Sequence, residues 1–209
     1  MKEFDVENRN TNPQSQFFKT YLDPFFNITA NLEVTNLYNY CKRNNLSFSL
    51  SCLYVALKYA NEITEFKLRF KNDKVYLFET VNIGSTVLND DLTFSFCDFE
   101  FQKTMTEFDV KGKIVLENHK NGIVFNAQED QLGIIHCSTV PWISFTGIKH
   151  ARNGNEGLQG IPKLVFGKIF TENEFKKIPF SVEVHHALVD GYHVGLLYEK
   201  MQKFINELD

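Results

Sequence analysis

The residues able to do chemistry are concentrated between positions 182 and 195. An alternating apolar segment ends there in the pair His185-His186, and Asp190-Gly191 follows before a helical pattern begins. Neighbouring side chains of a strand point to opposite faces, so only one imidazole of the pair can face a given cleft. A neutral imidazole at the end of a strand can accept a proton, which makes it a candidate general base. We expect Asp190 to fix the local backbone through charge-assisted hydrogen bonds.

Other kinds of site have weaker support from the residues alone. A histidine at the end of a strand is most often a partly buried polar residue with satisfied hydrogen bonds. A zinc site built from His185, His186 and His193 is the less favoured alternative, because the adjacent pair diverges and no fourth ligand is evident, so we expect no bound metal. No G-x-S-x-G motif supplies a serine nucleophile. The spacing therefore yields a candidate base and no particular reaction.

The elements that must position these residues are a mixture of helices and strands. Apolar periodicity predicts helices at 13–22, 35–43, 47–63 and 103–119, and strands at 26–34, 66–70, 75–78, 81–88, 92–99, 133–146, 163–170 and 180–186. The chain is predicted to end in a helix whose inward face carries Val194, Leu197, Met201, Phe204 and Leu208. Strands and helices interleave, with hairpins among them. This order favours an α/β fold in which helices pack on a mixed sheet, forming a two-layer sandwich. Because no segment has the composition of a linker, we expect one domain over residues 1–209.

Composition excludes several classes of protein. The chain has 209 residues, of which 43% are hydrophobic, so it can build a core without metal or disulfide bonds. Its net charge is −4 and it lacks a basic run, which argues against nucleic acid as a partner. The four scattered cysteines predict buried thiols of a cytoplasmic protein. We expect neither a signal peptide nor a membrane span, because the first residues are polar and no run of 18 apolar residues occurs.

The segment His185–His193 reads His-His-Ala-Leu-Val-Asp-Gly-Tyr-His. It resembles the H-H-A-x-x-D-G-[FY]-H signature of chloramphenicol acetyltransferases, and its shorter core H-x-x-x-D-G is shared with the acyltransferase cores of 2-oxo acid dehydrogenase complexes. Further matches follow in the family's order at Phe4-Asp5-Val6, Leu32–Thr35 and Pro141–Phe145. The resemblance therefore extends along the whole chain, and the length agrees with it.

The resemblance implies a homotrimer with active sites between subunits and an activity associated with antibiotic resistance. Acetyl-CoA would be a cosubstrate, with no permanently bound cofactor, and the acceptor would be chloramphenicol or a related hydroxylated small molecule. His186 corresponds to the general base of a ternary-complex mechanism, and Asp190 to a carboxylate that supports the site. The rings of Phe17 and Phe18 fall where the family places aromatic residues against the acceptor.

Three positions depart from the family's pattern. Thr11 stands where the family has an arginine that pairs with the motif aspartate, so Asp190 needs another partner, for which Arg9 is one candidate. Gly147 replaces a serine that steadies the oxyanion, and Ser144 and Thr146 have the opposite strand parity. Val165 replaces a threonine at the same centre. These departures leave two alternatives: a catalytically weakened CoA-binding or regulatory trimer, or an acyltransferase for another acceptor or a larger acyl group.

Overall fold

The computed structural model describes residues 1–4, 17–72, 74–120, 132–152 and 159–209. The helices of these ranges are α1 (Thr35–Arg43), α2 (Phe48–Glu62), α3 (Met105–Lys120) and α4 (Gly191–Asn206), with a 3₁₀ turn at Thr64–Lys67. The strands are β1 (Lys2–Glu3), β2 (Phe25–Glu33), β3 (Leu68–Lys71), β4 (Lys74–Leu77), β5 (Asn82–Leu88), β6 (Phe94–Phe99), β7 (Ile134–Thr139), β8 (Lys163–Phe166), β9 (Phe170–Glu172) and β10 (Phe175–His185).

The large sheet has the strand order β2-β10-β8-β7-β5-β6, and β9 pairs with the first part of β10. The pairs β5–β7 and β7–β8 are parallel, whereas the pairs of β10 with β2 and β8, and of β5 with β6, are antiparallel. Strands β1, β4 and β3 form a small antiparallel sheet. The predicted α/β class, with helices on a mixed sheet, is confirmed.

The core lies between the helices and one face of the large sheet. Alternate residues of β10 are apolar on that face, and they pack with the buried side chains of α2 and α4. Ser47 is the N-cap of helix α2. Its side chain accepts the N–H of Leu50, and its own N–H donates to buried Asp109 of α3 at 2.7 Å. Gly112 lets α3 approach α2, since a Cβ there would lie 2.9 Å from Leu50. None of the helices in the described ranges is both long and apolar enough to cross a membrane.

The largest errors in the predicted element boundaries concern three strands. The strand predicted over 133–146 ends at Thr139, because Pro141 has no N–H and the residues after it leave the sheet. The strand predicted over 163–170 is two strands, and β10 begins five residues before the predicted start at 180. The helix predicted from Pro13 begins outside the described residues; residues 17–19 are helical and the chain turns at Thr20.

Candidate active site

The candidate base stands on a tight turn at the end of β10. Strand β10 pairs with β2 as far as His185, opposite Phe25, and the N–H of His186 then donates to the carbonyl of Pro24 at 2.9 Å. The carbonyl of His185 accepts the N–H groups of Leu188 and Val189, so the chain reverses within a few residues. This turn presents the His186 side chain beyond the sheet, about 31% exposed.

Two phenylalanine rings hold the plane of the His186 imidazole. The ring of Phe18 is stacked on it, with centroids 3.8 Å apart and an interplanar angle of 5°, and the ring of Phe26 lies at 4.5 Å. Phe17 touches Phe18 edge-on at 5.3 Å and is 56% exposed. The structure therefore brings the predicted Phe18 directly against His186 and places Phe17 one ring further out. Phe26, which the sequence indicated only as a strand residue, also contacts the imidazole.

Asp190 is the acidic group that faces the base within the described residues. Its Oδ1 lies 3.4 Å from Nδ1 of His186, which is buried and has no aligned hydrogen bond within the described part of the chain. About half of the Asp190 side chain is exposed (49%), so solvent reduces the cost of leaving this carboxylate without the arginine partner of the family. The alternative partner Arg9, and Thr11, lie outside the described residues.

The two other histidines of the motif each accept a backbone N–H. Nδ1 of His185 accepts the N–H of Ala187 at 3.1 Å, and Nδ1 of His193 accepts the N–H of Asp190 at 3.0 Å. Burial of His185, together with the nearby charge of Arg152, lowers its pKa to about 4. These two bonds could not be predicted from the sequence, in which the two imidazoles were the only signal.

A buried ion pair lies on the sheet face opposite the helices. Nε of Arg152 donates to Oε1 of Glu183 at 2.9 Å, and the guanidinium lies over the ring of Phe25, 3.3 Å from its centroid. Burial by itself raises the pKa of Glu183, but neighbouring His150 and the Arg152 charge outweigh it and bring the pKa down to about 2. The Arg152–Glu183 pair joins the segment after β7 to strand β10, close to the turn that carries His186.

The remaining predicted positions, Gly147 and Val165, lie on other elements than the turn that carries His186. Gly147 is exposed in the irregular segment after β7, where a Cβ would meet nothing within 4 Å. The strand-parity argument against Ser144 and Thr146 therefore fails, because residues 140–150 do not form a strand; Ser144 donates to the carbonyl of Lys168. Val165 is fully buried in β8 between Ser138 and Ser181.

The described residues contain no group of three or more His, Cys, Asp or Glu side chains arranged to hold a metal ion. Both flanking imidazoles, His185 and His193, already use Nδ1 to accept a backbone N–H. The cysteines, all four of which are described, are free and buried, as the sequence predicted. Of the three motif histidines, His186 is therefore the one whose partly exposed ring is placed to meet a substrate.

Comparison with known proteins agrees with the sequence resemblance. A family model described as chloramphenicol acetyltransferase matches residues 1–202. The chloramphenicol acetyltransferase of Clostridium butyricum is 27% identical over 202 residues, which cover 95% of this chain and 92% of the relative. Chloramphenicol acetyltransferase 3 of Escherichia coli is 25% identical over 208 residues, covering 97% and 96% respectively.

Solved structures show the same likeness in three dimensions. A chloramphenicol acetyltransferase superposes with a TM-score of 0.89 at 25% identity, covering 98% of this chain and 99% of the other. The dihydrolipoamide acetyltransferase of Azotobacter vinelandii gives a TM-score of 0.70 at 14% identity, covering 93% and 86%. The second likeness shows a shared fold alone.

Proposed function

Because the chain belongs to the chloramphenicol acetyltransferase family, and is therefore an acyltransferase, we propose that it transfers the acetyl group of acetyl-CoA to a hydroxyl of chloramphenicol or a related small molecule. The observation that carries this proposal is the position of His186. Its imidazole is partly exposed on a hydrogen-bonded turn and is stacked on Phe18, with Nδ1 turned inward beside Asp190. That orientation leaves Nε2 to meet a substrate.

In this mechanism His186 acts first as a base and then as an acid. Nε2 takes the proton of the acceptor hydroxyl as its oxygen bonds to the thioester carbonyl carbon. The resulting tetrahedral intermediate collapses, the carbon–sulfur bond breaks, and Nε2 returns the proton to the CoA thiolate. No acyl-enzyme forms, since both substrates are held together, and this proximity supplies part of the rate acceleration.

Neighbouring side chains have supporting roles in the proposal. Asp190 faces Nδ1 of His186 and favours the tautomer in which Nε2 carries the lone pair. Phe17 and Phe18 provide exposed and stacked rings against which an acceptor can pack. Gly147 and Val165 belong to the substrate pocket only by their correspondence with the family.

A thiol-release assay with purified protein, acetyl-CoA and chloramphenicol tests the proposal. We expect His186→Ala to lower kcat/KM by about 10²–10⁴, the usual contribution of a general base. His119→Ala is the matched control, because His119 lies on α3 and its Nδ1 contacts the carbonyl of Val115 of the same helix. Wild-type turnover no faster than that of His186→Ala would remove the claim for this acceptor.

Two alternatives follow from the departures at Thr11, Gly147 and Val165. In the first, the protein is a catalytically weakened CoA-binding or regulatory module; calorimetric CoA binding without acyl transfer to a broad panel of alcohols and amines would favour it. In the second, the acceptor differs or the acyl group is larger. The open space beside Gly147 supports the second alternative, because a longer acyl chain needs room there.

We also propose that the protein works as a cytoplasmic homotrimer. Support for an assembly comes from strand β6, which is an edge of the large sheet. Leu88, Phe94 and Phe96 share one exposed face there, since Leu88 pairs with Phe94 and the two phenylalanine rings touch at 5.5 Å. An exposed apolar patch on an edge strand is typical of a surface that a second subunit covers.

A further inference from the structure

We propose that His185 and His193 are positioning residues, which fix the turn carrying His186 by accepting one backbone N–H from each side of it. The inference rests on the proposed role of His186 as the base. It gives all three histidines of the motif a function, with only the middle one meeting the substrate.

The first anchor is on the strand side of the turn. His185 is the last residue of β10 and is only 4% exposed, with its ring between Phe25 and Phe70, each at 5.0 Å between centroids. Its Nδ1 accepts the N–H of Ala187, the residue that immediately follows His186. An acceptor nitrogen carries no proton, so this geometry assigns the neutral tautomer with hydrogen on Nε2.

The second anchor is on the helix side of the turn. His193 is the third residue of α4, and its ring folds back so that Nδ1 accepts the N–H of Asp190, the N-cap residue. A Glu or Gln at this position does the same in a capping box. Nε2 of His193 lies 3.5 Å from Oε1 of Glu65, which agrees with a hydrogen on Nε2. Both side chains are mostly buried.

The two anchors together control the orientation of the base. The anchored N–H groups belong to residues 187 and 190, which frame the short segment between His186 and α4. Asp190, whose carboxylate faces Nδ1 of His186, is thereby fixed by the second anchor. A displacement of about 1 Å at a reacting group can cost about 10²-fold in rate, so loss of either anchor should reduce catalysis without removing a substrate contact.

Paired substitutions separate the hydrogen bond from simple packing. His185→Leu and His193→Leu remove the acceptor. His185→Asn keeps one, because an Asn side chain accepts the N–H two residues further on, and His193→Gln keeps one through the capping box. Acetyl-CoA-dependent turnover of chloramphenicol is measured for each variant well below its unfolding temperature.

We expect each Leu variant to lower kcat by about 10- to 100-fold while KM for acetyl-CoA changes by less than about threefold, because the base is misplaced and the binding surface is kept. His185→Asn and His193→Gln should recover most of the lost kcat. Equal kcat in the Leu and acceptor-keeping variants at both positions would overturn the proposal.

A second measurement does not depend on turnover or on the folding of any variant. ¹⁵N NMR of the histidine-labelled wild-type protein reports which ring nitrogen carries hydrogen, and correlation of each ring with the assigned backbone of the same protein identifies each signal. We expect hydrogen on Nε2 of both His185 and His193. Hydrogen on Nδ1 of either ring would overturn the inference. A protein with the expected tautomers but no turnover would instead contradict only the proposed function.

Discussion

At the scale of single residues, burial makes His185 sensitive to acid although it is not the proposed base. Its ring accepts a backbone N–H and lies among aromatic rings, and Lys19 and Arg152 add positive charge nearby. Protonation would remove the acceptor and place a charge in a buried position. The folded state therefore holds the ring neutral, and the pKa of about 4 expresses that cost.

We expect this histidine to make the protein less stable below neutral pH. Its pKa is about 4 in the folded protein and 6.5 as the ordinary value, so the unfolded chain binds the extra proton between these limits. The contribution of neutral His185 to the free energy of unfolding is therefore complete above pH 6.5 and is lost as the pH drops toward 4. The free energy of unfolding should fall by about 2 kcal/mol between pH 7 and pH 5. Urea unfolding at the two pH values measures this difference in the free energy of unfolding. The control His185→Asn should show a smaller loss, and an equal loss would contradict the assignment.

A second residue-scale prediction concerns Gly147. A Cβ at this position meets nothing within 4 Å, so Gly147→Ser fits without displacing a neighbour. If the position is the family's oxyanion position, the added hydroxyl should raise chloramphenicol turnover by about 10²-fold or more, since one oxyanion donor is worth about that much. Gly147→Ala adds the same carbon without the donor and is the control. A gain no larger than that of Gly147→Ala would favour a different acceptor.

At the scale of elements, the Arg152–Glu183 pair joins the irregular segment after β7 to strand β10. Glu183 lies on the face of β10 that points away from the core, although the strand around it is apolar. A charged residue within an apolar strand was the one feature of the sequence that indicated a buried ion pair here. The partner itself could not be identified from the sequence, because Arg152 is 31 residues away in an irregular segment.

Removing the arginine should destabilise the protein strongly. Arg152→Met leaves the Glu183 carboxylate buried without its main partner, a change that typically costs about 3–5 kcal/mol. The double variant Arg152→Met/Glu183→Gln removes the uncompensated charge and should recover part of that loss. Denaturant unfolding at neutral pH measures both, and a double variant less stable than Arg152→Met would count against the ion pair.

The boundaries of the elements show where local pattern was sufficient. Strand β2 and helices α1 and α2 were predicted to within one residue, because strict alternation and helical spacing of apolar residues are local signals. The predicted strand through 146 was wrong: it ends at Thr139, and the apolar side chains of Trp142 and Ile143 beyond its end are both more than half exposed. Exposure depends on what the folded chain places beside a residue, and no local pattern contains that.

At the scale of the whole molecule, the exposed face of β6 should be an interface. We expect the wild-type protein to elute with about three times the mass of one chain, as the family resemblance implies. The variant Phe96→Asp should shift the mass toward that of the monomer, because it places a charge in the apolar patch. Light scattering after size exclusion measures the mass. Phe175→Asp is the matched control, since Phe175 is also exposed (53%) but lies at the start of β10. A monomeric wild type would contradict the proposed trimer.

The sequence by itself determined the family, the fold class and the identity of the candidate base, because a nine-residue motif and apolar periodicity are properties of neighbouring residues. That the chain is one domain over residues 1–209 stays a prediction. Only the tertiary structure decided that Phe18 and Phe26 flank His186 and that Arg152 reaches Glu183. It also decided that His185 and His193 each accept a backbone N–H group through Nδ1. The direction of a ring nitrogen depends on how the turn, strand and helix meet, and that geometry exists only after the chain has folded.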